Sequence, residues 1–238
     1  MKLFRKIIIK IIHNLGFDIV RIQNDYDNPF EGLTRFPIRT IIDIGANRGQ
    51  FAKKALQAFP NAYLYCFEPL KAPFEELKKW ASEQNNRVTV FNLALGDSEG
   101  ITKMFLLSEH NDSSSFLKST VLAEALWPFM KKQELVSVKL TSLDKVVSNL
   151  SKPFSPEILI KIDVEGYEDR VIQGGKKILA KTKACILEIS LDFLHENQPS
   201  FKKIFSLMDE LKFHYIGNLN QVYAKDGHIV CIDALFLK

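Results

Sequence analysis

From residue 39 onward, short apolar runs rich in β-branched and aromatic residues alternate with stretches in which apolar positions recur every three to four residues. That alternation is the signature of a largely parallel sheet with helices on its faces. TIIDIG (40–45) reads as the first strand, followed by a helix over 50–59, and AYLYCFEP (62–69) as the second, followed by a helix over 72–80. VTVFNLALG (88–96) is the third strand. ITKMFLL (101–107) and SVKLTSL (137–143) read as extra strands flanking a loop that holds Asp112, Ser113, Ser114 and Ser115. EILIKIDVEG (157–166) gives the next parallel strand, its helix covers 167–179, and ACILEIS (184–190) is another strand. After a helix over 201–211 come HYIGNL, QVYA and IVCIDALFL, three β-like segments with no helix between them, which predict a closing hairpin and an antiparallel edge strand.

The N-terminal stretch has a different pattern. Phe4, Ile8, Ile11, Ile12 and Leu15 share one helical face, with Lys2, Lys6 and Lys10 largely elsewhere. Lys10 and His13 interrupt the apolar run, which is too short for an export signal or a membrane span. A basic amphipathic helix of this kind either packs on its own domain or rests on an anionic membrane surface. With 238 residues, 46% hydrophobic and 25% charged, the chain has the composition of an ordinary globular protein. The expected organisation is one domain over 1–238, with 1–37 as a helical extension and 38–238 as the α/β core. A net charge of +4, from 32 basic and 28 acidic residues, is far from the footprint of a nucleic-acid binder. Cys66, Cys185 and Cys231 sit in apolar runs with no metal-type spacing, as buried thiols of a reduced compartment would, and the expected location is cytoplasmic.

Candidate chemistry begins at D-I-G-A-N-R-G-Q-F, which starts at the end of a buried strand and leads into a helix. Gly45 and Gly49 let the chain turn sharply and bring backbone close to a ligand, and the amides opening the following helix suit a carboxylate or phosphate. Nineteen residues beyond Gly49, Glu68 ends the second strand, where ligands gather in an open α/β sheet and where a carboxylate can accept both hydroxyl protons of a ribose. These features describe a nucleoside pocket without naming the nucleoside. A dinucleotide loop prefers G-x-G-x-x-G, whereas Asn47 stands where the second glycine belongs, and Arg48-Gly49-Gln50 lacks the G-K-[ST] of a P-loop. Asp43 at the strand tip repels a pyrophosphate but suits the ammonium group of a bound amino acid. S-adenosylmethionine carries such a group beside its sulfonium.

IIDIGANRGQF, YCFEP, NLALGD, the cluster Ser113 to Ser115, TSLD (141–144) and above all LIKIDVEGYEDRVIQGG (159–175) resemble the FkbM family of O-methyltransferases, in the same order over residues 38–189. The resemblance implies a class I methyltransferase fold: a Rossmann-like, seven-stranded, mostly parallel sheet with helices on both faces and an antiparallel C-terminal strand. It implies S-adenosylmethionine as cofactor, with Asp43, Gly45, Asn47 and Gly49 around its methionine part, Glu68 on the ribose, and Asn92 and Ala94 near the adenine. Asp163 and Glu165 then face cofactor and acceptor, and the acceptor is a hydroxyl on a sugar, glycan precursor or small metabolite.

In strand periodicity Lys161, Asp163 and Glu165 point to one side of a segment otherwise written for burial. Three such groups are costly to bury unless paired or used, so Lys161 is expected to orient one of the acids, and the three are the candidate catalytic group. Glu188, near the end of the following strand, is a further candidate for the same pocket. Carboxylates here suit magnesium, although no spacing demands a metal. His110 and His195 read as surface residues, with a catalytic base as the alternative, and Phe105, Phe116, Trp127 and Phe129 as candidates for an acceptor cavity or as core. The rival readings are a nicotinamide-dependent oxidoreductase and a cofactor-binding accessory protein without catalysis.

Overall fold

The computed structural model describes residues 32–108, 110–150 and 154–238, together with Phe30, and Leu33–Lys238 make up one compact unit. The amphipathic N-terminal segment, with the membrane contact it suggests, lies outside the described residues. The central strands are β1 (Thr40–Ile44), β2 (Tyr63–Phe67), β3 (Val88–Phe91), β7 (Ile158–Ile162), β8 (Ala184–Ser190), β9 (His214–Tyr223) and β10 (Ile229–Leu237). They form one seven-stranded sheet in the order β3-β2-β1-β7-β8-β10-β9. β10 runs antiparallel to both β8 and β9, while the remaining pairings are parallel. The antiparallel strand is therefore not the edge strand expected from the sequence. It is inserted between β8 and β9, and HYIGNL and QVYA fuse into the single edge strand β9.

Burial follows strand order. β1, flanked on both sides, is buried at all five positions, whereas β9 at the edge has no fully buried residue, as position in a covered sheet requires. One face, bearing Ile42, Ile44, Ile160, Ile162 and Leu187, packs on α5 (Glu168–Gly174), α6 (Lys176–Leu179) and α7 (Phe201–Glu210) through Val171, Ile172, Leu179, Ile204, Leu207 and Met208. The spacing 204, 207, 208 is the i, i+3, i+4 stripe of an amphipathic helix, and Ser200 caps α7 by accepting from the Lys203 amide at 3.3 Å. α1 (Gln50–Ala58) buries Ala52, Ala55 and Leu56 beside β1 and β2. α2 (Lys71–Ser82) carries Pro73 in its first turn, where a missing amide costs nothing, and buries Pro73, Leu77 and Ala81 at intervals of four.

Two expected elements break where a side chain or a close contact intervenes. The third strand stops at Phe91, because Asn92 turns its amide onto the carbonyls of Glu68 and Pro69 at 3.0 and 2.9 Å. The next residues form β4 (Ala94–Leu95), which joins β5 (Gly100–Leu106) and β6 (Glu134–Thr141) in a separate sheet of order β4-β6-β5. The helix expected over 167–179 divides into α5 and α6 at Gly174 and Gly175. A Cβ at Gly174 would lie 1.8 Å from the Gly96 carbonyl oxygen, so only glycine lets the two backbones meet. The connecting pieces α3 (Val121–Leu126) and α4 (Leu143–Ser148) are capped by Thr120 and Ser142.

Candidate active site

The site lies at the carboxyl ends of β1, β2, β7 and β8. The loop 45–49 is folded on its own amides: Gly45 and Ala46 donate to the Phe67 carbonyl at 3.1 and 3.0 Å, and Gly49 to the Ala46 carbonyl at 2.8 Å. Asn47 donates to Glu68 Oε2 at 2.9 Å, and the Arg48 amide to Asn47 Oδ1 at 2.8 Å. All five amides of the loop have acceptors inside the protein. Three residues take left-handed conformations, Gly45 (φ 80°), Asn47 (φ 44°) and Gly49 (φ 84°). A Cβ on Gly45 would sit 1.8 Å from the Asp163 carbonyl oxygen, which locks the loop to the segment after β7. Gly49 caps α1 against Leu77 and lies behind the cleft wall.

Glu68, only 4% exposed, ties this loop to the start of α2: Oε2 accepts from Asn47 and Oε1 from the Leu70 amide at 2.8 Å. Burial pushes its carboxyl up to about 7, against the pull of those two amides. A cleft forms beside it, lined by Gly45, Asn47, Glu68, Ala94, Asp163 and Glu165 of the expected site, with apolar walls from Phe67, Pro69, Leu70 and Leu93. Three expected contacts fall outside that lining, Gly49 behind the wall as described and two more. Asn92 is exposed and spends its amide on the backbone as described, leaving Leu93 and Ala94 in the wall. Asp43 is 0% exposed and sealed beneath the loop, with both carboxylate oxygens unpartnered among the described residues. Burial drives its carboxyl up to about 6, although the Lys161 ammonium opposes the shift. Its side chain does not border the cleft.

Sheet register explains the acidic group. Asp43 on β1 is level with Lys161 on β7, and Ile162 is level with Leu187, so Asp163, one step further, comes level with Glu188. β7 ends at Ile162, and the alternation expected to carry Glu165 therefore stops short of it. Instead a turn delivers it: Glu165 takes φ 54°, Ser115 Oγ donates to its carbonyl, and buried Glu168 accepts from the Val164 and Gly166 amides at 3.2 and 3.1 Å. Lys161 is the strut of the group. Its ammonium donates to Asp163 Oδ2 at 2.6 Å. Burial works against that charge, but Asp163 and Asp43 outweigh it and hold the amine above its ordinary range. Lys161 is absent from the cleft wall, so its part is to position Asp163 and not to touch a ligand.

Asp163, Glu165 and Glu188 offer carboxylate oxygens within 4.8 Å of one another, a spacing able to hold a divalent cation, although Lys161 already supplies a cationic partner to one of them. Burial, then neighbouring carboxylates, push Glu165 and Glu188 well above the ordinary range. Glu165 also lines a second, inner cavity of about 200 Å³, with Ser113, Trp127, Phe129, Glu188 and Ser190 among its walls. The serine cluster is mostly structural. Ser114 Oγ accepts from the Leu107 amide and Ser115 Oγ from the Leu117 amide, while Ser113 faces the inner cavity.

Sequence reasoning missed Asn111 and Asp112. Asn111 Oδ1 accepts from Asn47 Nδ2 and Arg48 Nη1, both at 3.0 Å, drawing its segment over the glycine loop, and Asp112 adds a fourth acid to the cleft lining. An Asn-Asp pair heading a serine run is a turn signal; the family resemblance of the serine run points to a loop folding over the cofactor but assigns neither residue a part in it. His195 is not a surface residue: it is 1% exposed, its ring nitrogens are unpartnered among the described residues, and burial lowers it to about 4. His110 is exposed.

Residues 43–215 match the methyltransferase FkbM domain family. Over 179 residues the chain is 30% identical to the 2-O-methyltransferase NoeI of Sinorhizobium fredii, covering 72% of each protein. Among solved structures, methyltransferase FkbM from Methylobacillus flagellatus superposes with a TM-score of 0.52 at 15% identity, over 87% of this chain and 46% of that one. The chain thus spans about half the length of that protein, and the likeness speaks to the fold alone.

Proposed function

The chain belongs to the FkbM family of methyltransferases, and from that premise we propose that it transfers the methyl group of S-adenosylmethionine to a hydroxyl of a neutral, sugar-like acceptor in the inner cavity. The observation that carries this reading is the placement of Glu165 in the wall of both the cleft and the cavity.

The cleft suits that donor on chemical grounds. Glu68, Asp112, Asp163 and Glu165 line it, with no lysine or arginine among its described lining residues. Such a wall, beside a loop whose amides are already engaged, repels the diphosphate of a nicotinamide dinucleotide and favours a ligand carrying sulfonium and ammonium charges. Glu68 has used one lone pair on each oxygen and keeps others for ribose hydroxyls. Phe67, Pro69, Leu70 and Leu93 give an adenine ring apolar surface.

When bound, S-adenosylmethionine supplies an electrophilic methyl group on a positively charged sulfur. The protein's part is to hold the acceptor oxygen in line with it, at about 3 Å, and to receive a proton. With the donor's sulfonium charge beside it, Glu165 would be held ionised against the pull of burial, and its carboxylate would take the proton of the acceptor hydroxyl. Lys161 keeps Asp163 in place beside the donor, and no metal enters this scheme because the Lys161 ammonium balances that acid. Burial holds Glu165 and Glu188 towards their neutral forms, so the pair can donate and accept hydrogen bonds with an uncharged polyol, while Trp127 and Phe129 suit the apolar face of its ring. Oxygen as the acceptor atom is supported by the relative named a 2-O-methyltransferase.

The test is a thermal shift with S-adenosylhomocysteine and with NAD, joined to transfer of labelled methyl from S-adenosylmethionine to hexose methyl glycosides in EDTA. Stabilisation by S-adenosylhomocysteine alone and labelling of the glycoside are expected. Stabilisation by NAD alone overturns the reading.

A further inference from the structure

We propose that the groove outside Phe129 is a second acceptor subsite, holding the sugar unit next to the one being methylated, so that the substrate is a glycoside of at least two rings and not a free monosaccharide. The inference rests on the reading of the inner cavity as the acceptor site and extends it outward.

Contiguity is the first argument. Phe129 lines both the inner cavity and an outer groove, just as Glu165 lines both the cleft and the cavity. The short segment 110–114 touches all three spaces: Asn111, Asp112 and Ser114 border the cleft, Ser113 the cavity, and His110 the groove. One path therefore runs from the donor outward around a single turn of chain.

Size is the second. The inner cavity, at about 200 Å³, falls below the roughly 300–1,000 Å³ usual for a small-molecule site, whereas the outer groove offers about 660 Å³. A single ring fills the first, and a larger acceptor has somewhere to continue.

Chemistry is the third. The His110 imidazole stacks on Phe129 with 3.9 Å between ring centroids, presenting a flat surface of the kind that accepts the C–H face of a pyranose. Around it Lys132, Gln133 and Glu134 offer donors and acceptors of both signs. Among the described lining residues the lysine is offset by the glutamate, so these offer no excess of positive charge with which to select a phosphate, and they suit a neutral polyol.

The test compares kcat/KM for hexose methyl glycosides with that for disaccharides carrying the same hexose at the methylated end, using the full chain and S-adenosylmethionine. The wild type is expected to favour disaccharides by about tenfold or more, a difference of roughly one contact surface. His110→Ala removes that preference while leaving the monosaccharide value within about twofold. Gln133→Ala serves as a second variant should His110→Ala disturb the turn. Equal use of both acceptor classes by the wild type, or an equal loss on both in the variants, overturns the subsite. Turnover of neither class by a protein that still binds S-adenosylhomocysteine overturns the acceptor reading underneath it, and the subsite with it.

Discussion

Glu165 holds a left-handed conformation, φ 54°, that costs a side chain about 1–2 kcal/mol, and Ser115 and Glu168 compensate by fixing the turn on both sides. Backbone strain met by buried partners marks a group whose direction matters. Glu165→Gln keeps the shape and removes the base, so kcat is expected to fall by about 10²-fold or more with the S-adenosylhomocysteine Kd changed little. Lys161→Met loosens Asp163 without touching a ligand and is expected to lower kcat less. Loss of donor affinity equal to the loss of kcat in both variants, by calorimetry beside steady-state kinetics, would sink these roles. At this scale the sequence was legible where polar residues interrupt an apolar run: Asp43, Lys161, Asp163 and Glu165 all stood out that way. What it hid was depth. Asp43 is sealed under the loop and Asn92 points away from the cleft, because each direction depends on backbone partners far along the chain.

Among the elements, the segment 110–114 does the most with the least regular structure. Its Asn111 side-chain oxygen, Oδ1, receives two hydrogen bonds from the glycine loop, and the cleft beneath has only about 40 Å³ of open space, too little for a nucleoside. The latch must release for the donor to pass. Asn111→Ala is expected to raise both association and dissociation rates of S-adenosylhomocysteine several-fold in stopped-flow measurements, with a smaller change in Kd, since two hydrogen bonds worth about 1 kcal/mol each restrain the closed form. Unchanged rates would show that the latch does not gate access. Hydrophobic period gave away most helices and strands here, since burial on one face is a local pattern. It could not show that Asn92 splits the third strand, that two glycines divide α5 from α6, or that β10 inserts beside β8. Those outcomes come from long-range pairing and from backbone approaches so close that a Cβ would lie 1.8 Å from a carbonyl oxygen, which only glycine permits.

Over the whole molecule, buried acids set the response to pH. Asp43 is raised to about 6 and Glu68 and Glu168 to about 7, in each case chiefly by burial. The native state thus binds more protons than the unfolded chain between about pH 4 and 7, and stability falls as pH rises through that window. His195, lowered to about 4, works the other way below its ordinary value, but it is one group against these three and against Glu165 and Glu188, which burial also raises. The melting temperature of the free protein is expected to be higher at pH 5.5 than at pH 8, with the stabilisation by S-adenosylhomocysteine, which carries an ammonium group, growing toward pH 8. A melting temperature that climbs from pH 5.5 to 8 would contradict the buried-acid account. The α/β class and the order of its motifs could be read from sequence because they rest on local pattern, as could the strand tips that carry Glu68 and Asp163 into the cleft wall. The acceptor half could not, because it is assembled from strand ends and connecting turns distant in the chain. Sheet order gives that division a consequence for descent. The donor cleft is built on β1, β2 and β7, whereas Glu188, Ser190, Val222 and Cys231 of the inner cavity come from β8, β9 and β10. Substitutions along the late strands can therefore retune which acceptor is taken while the machinery that holds the methyl donor is inherited intact, leaving related chains free to diverge in substrate without relearning their cofactor.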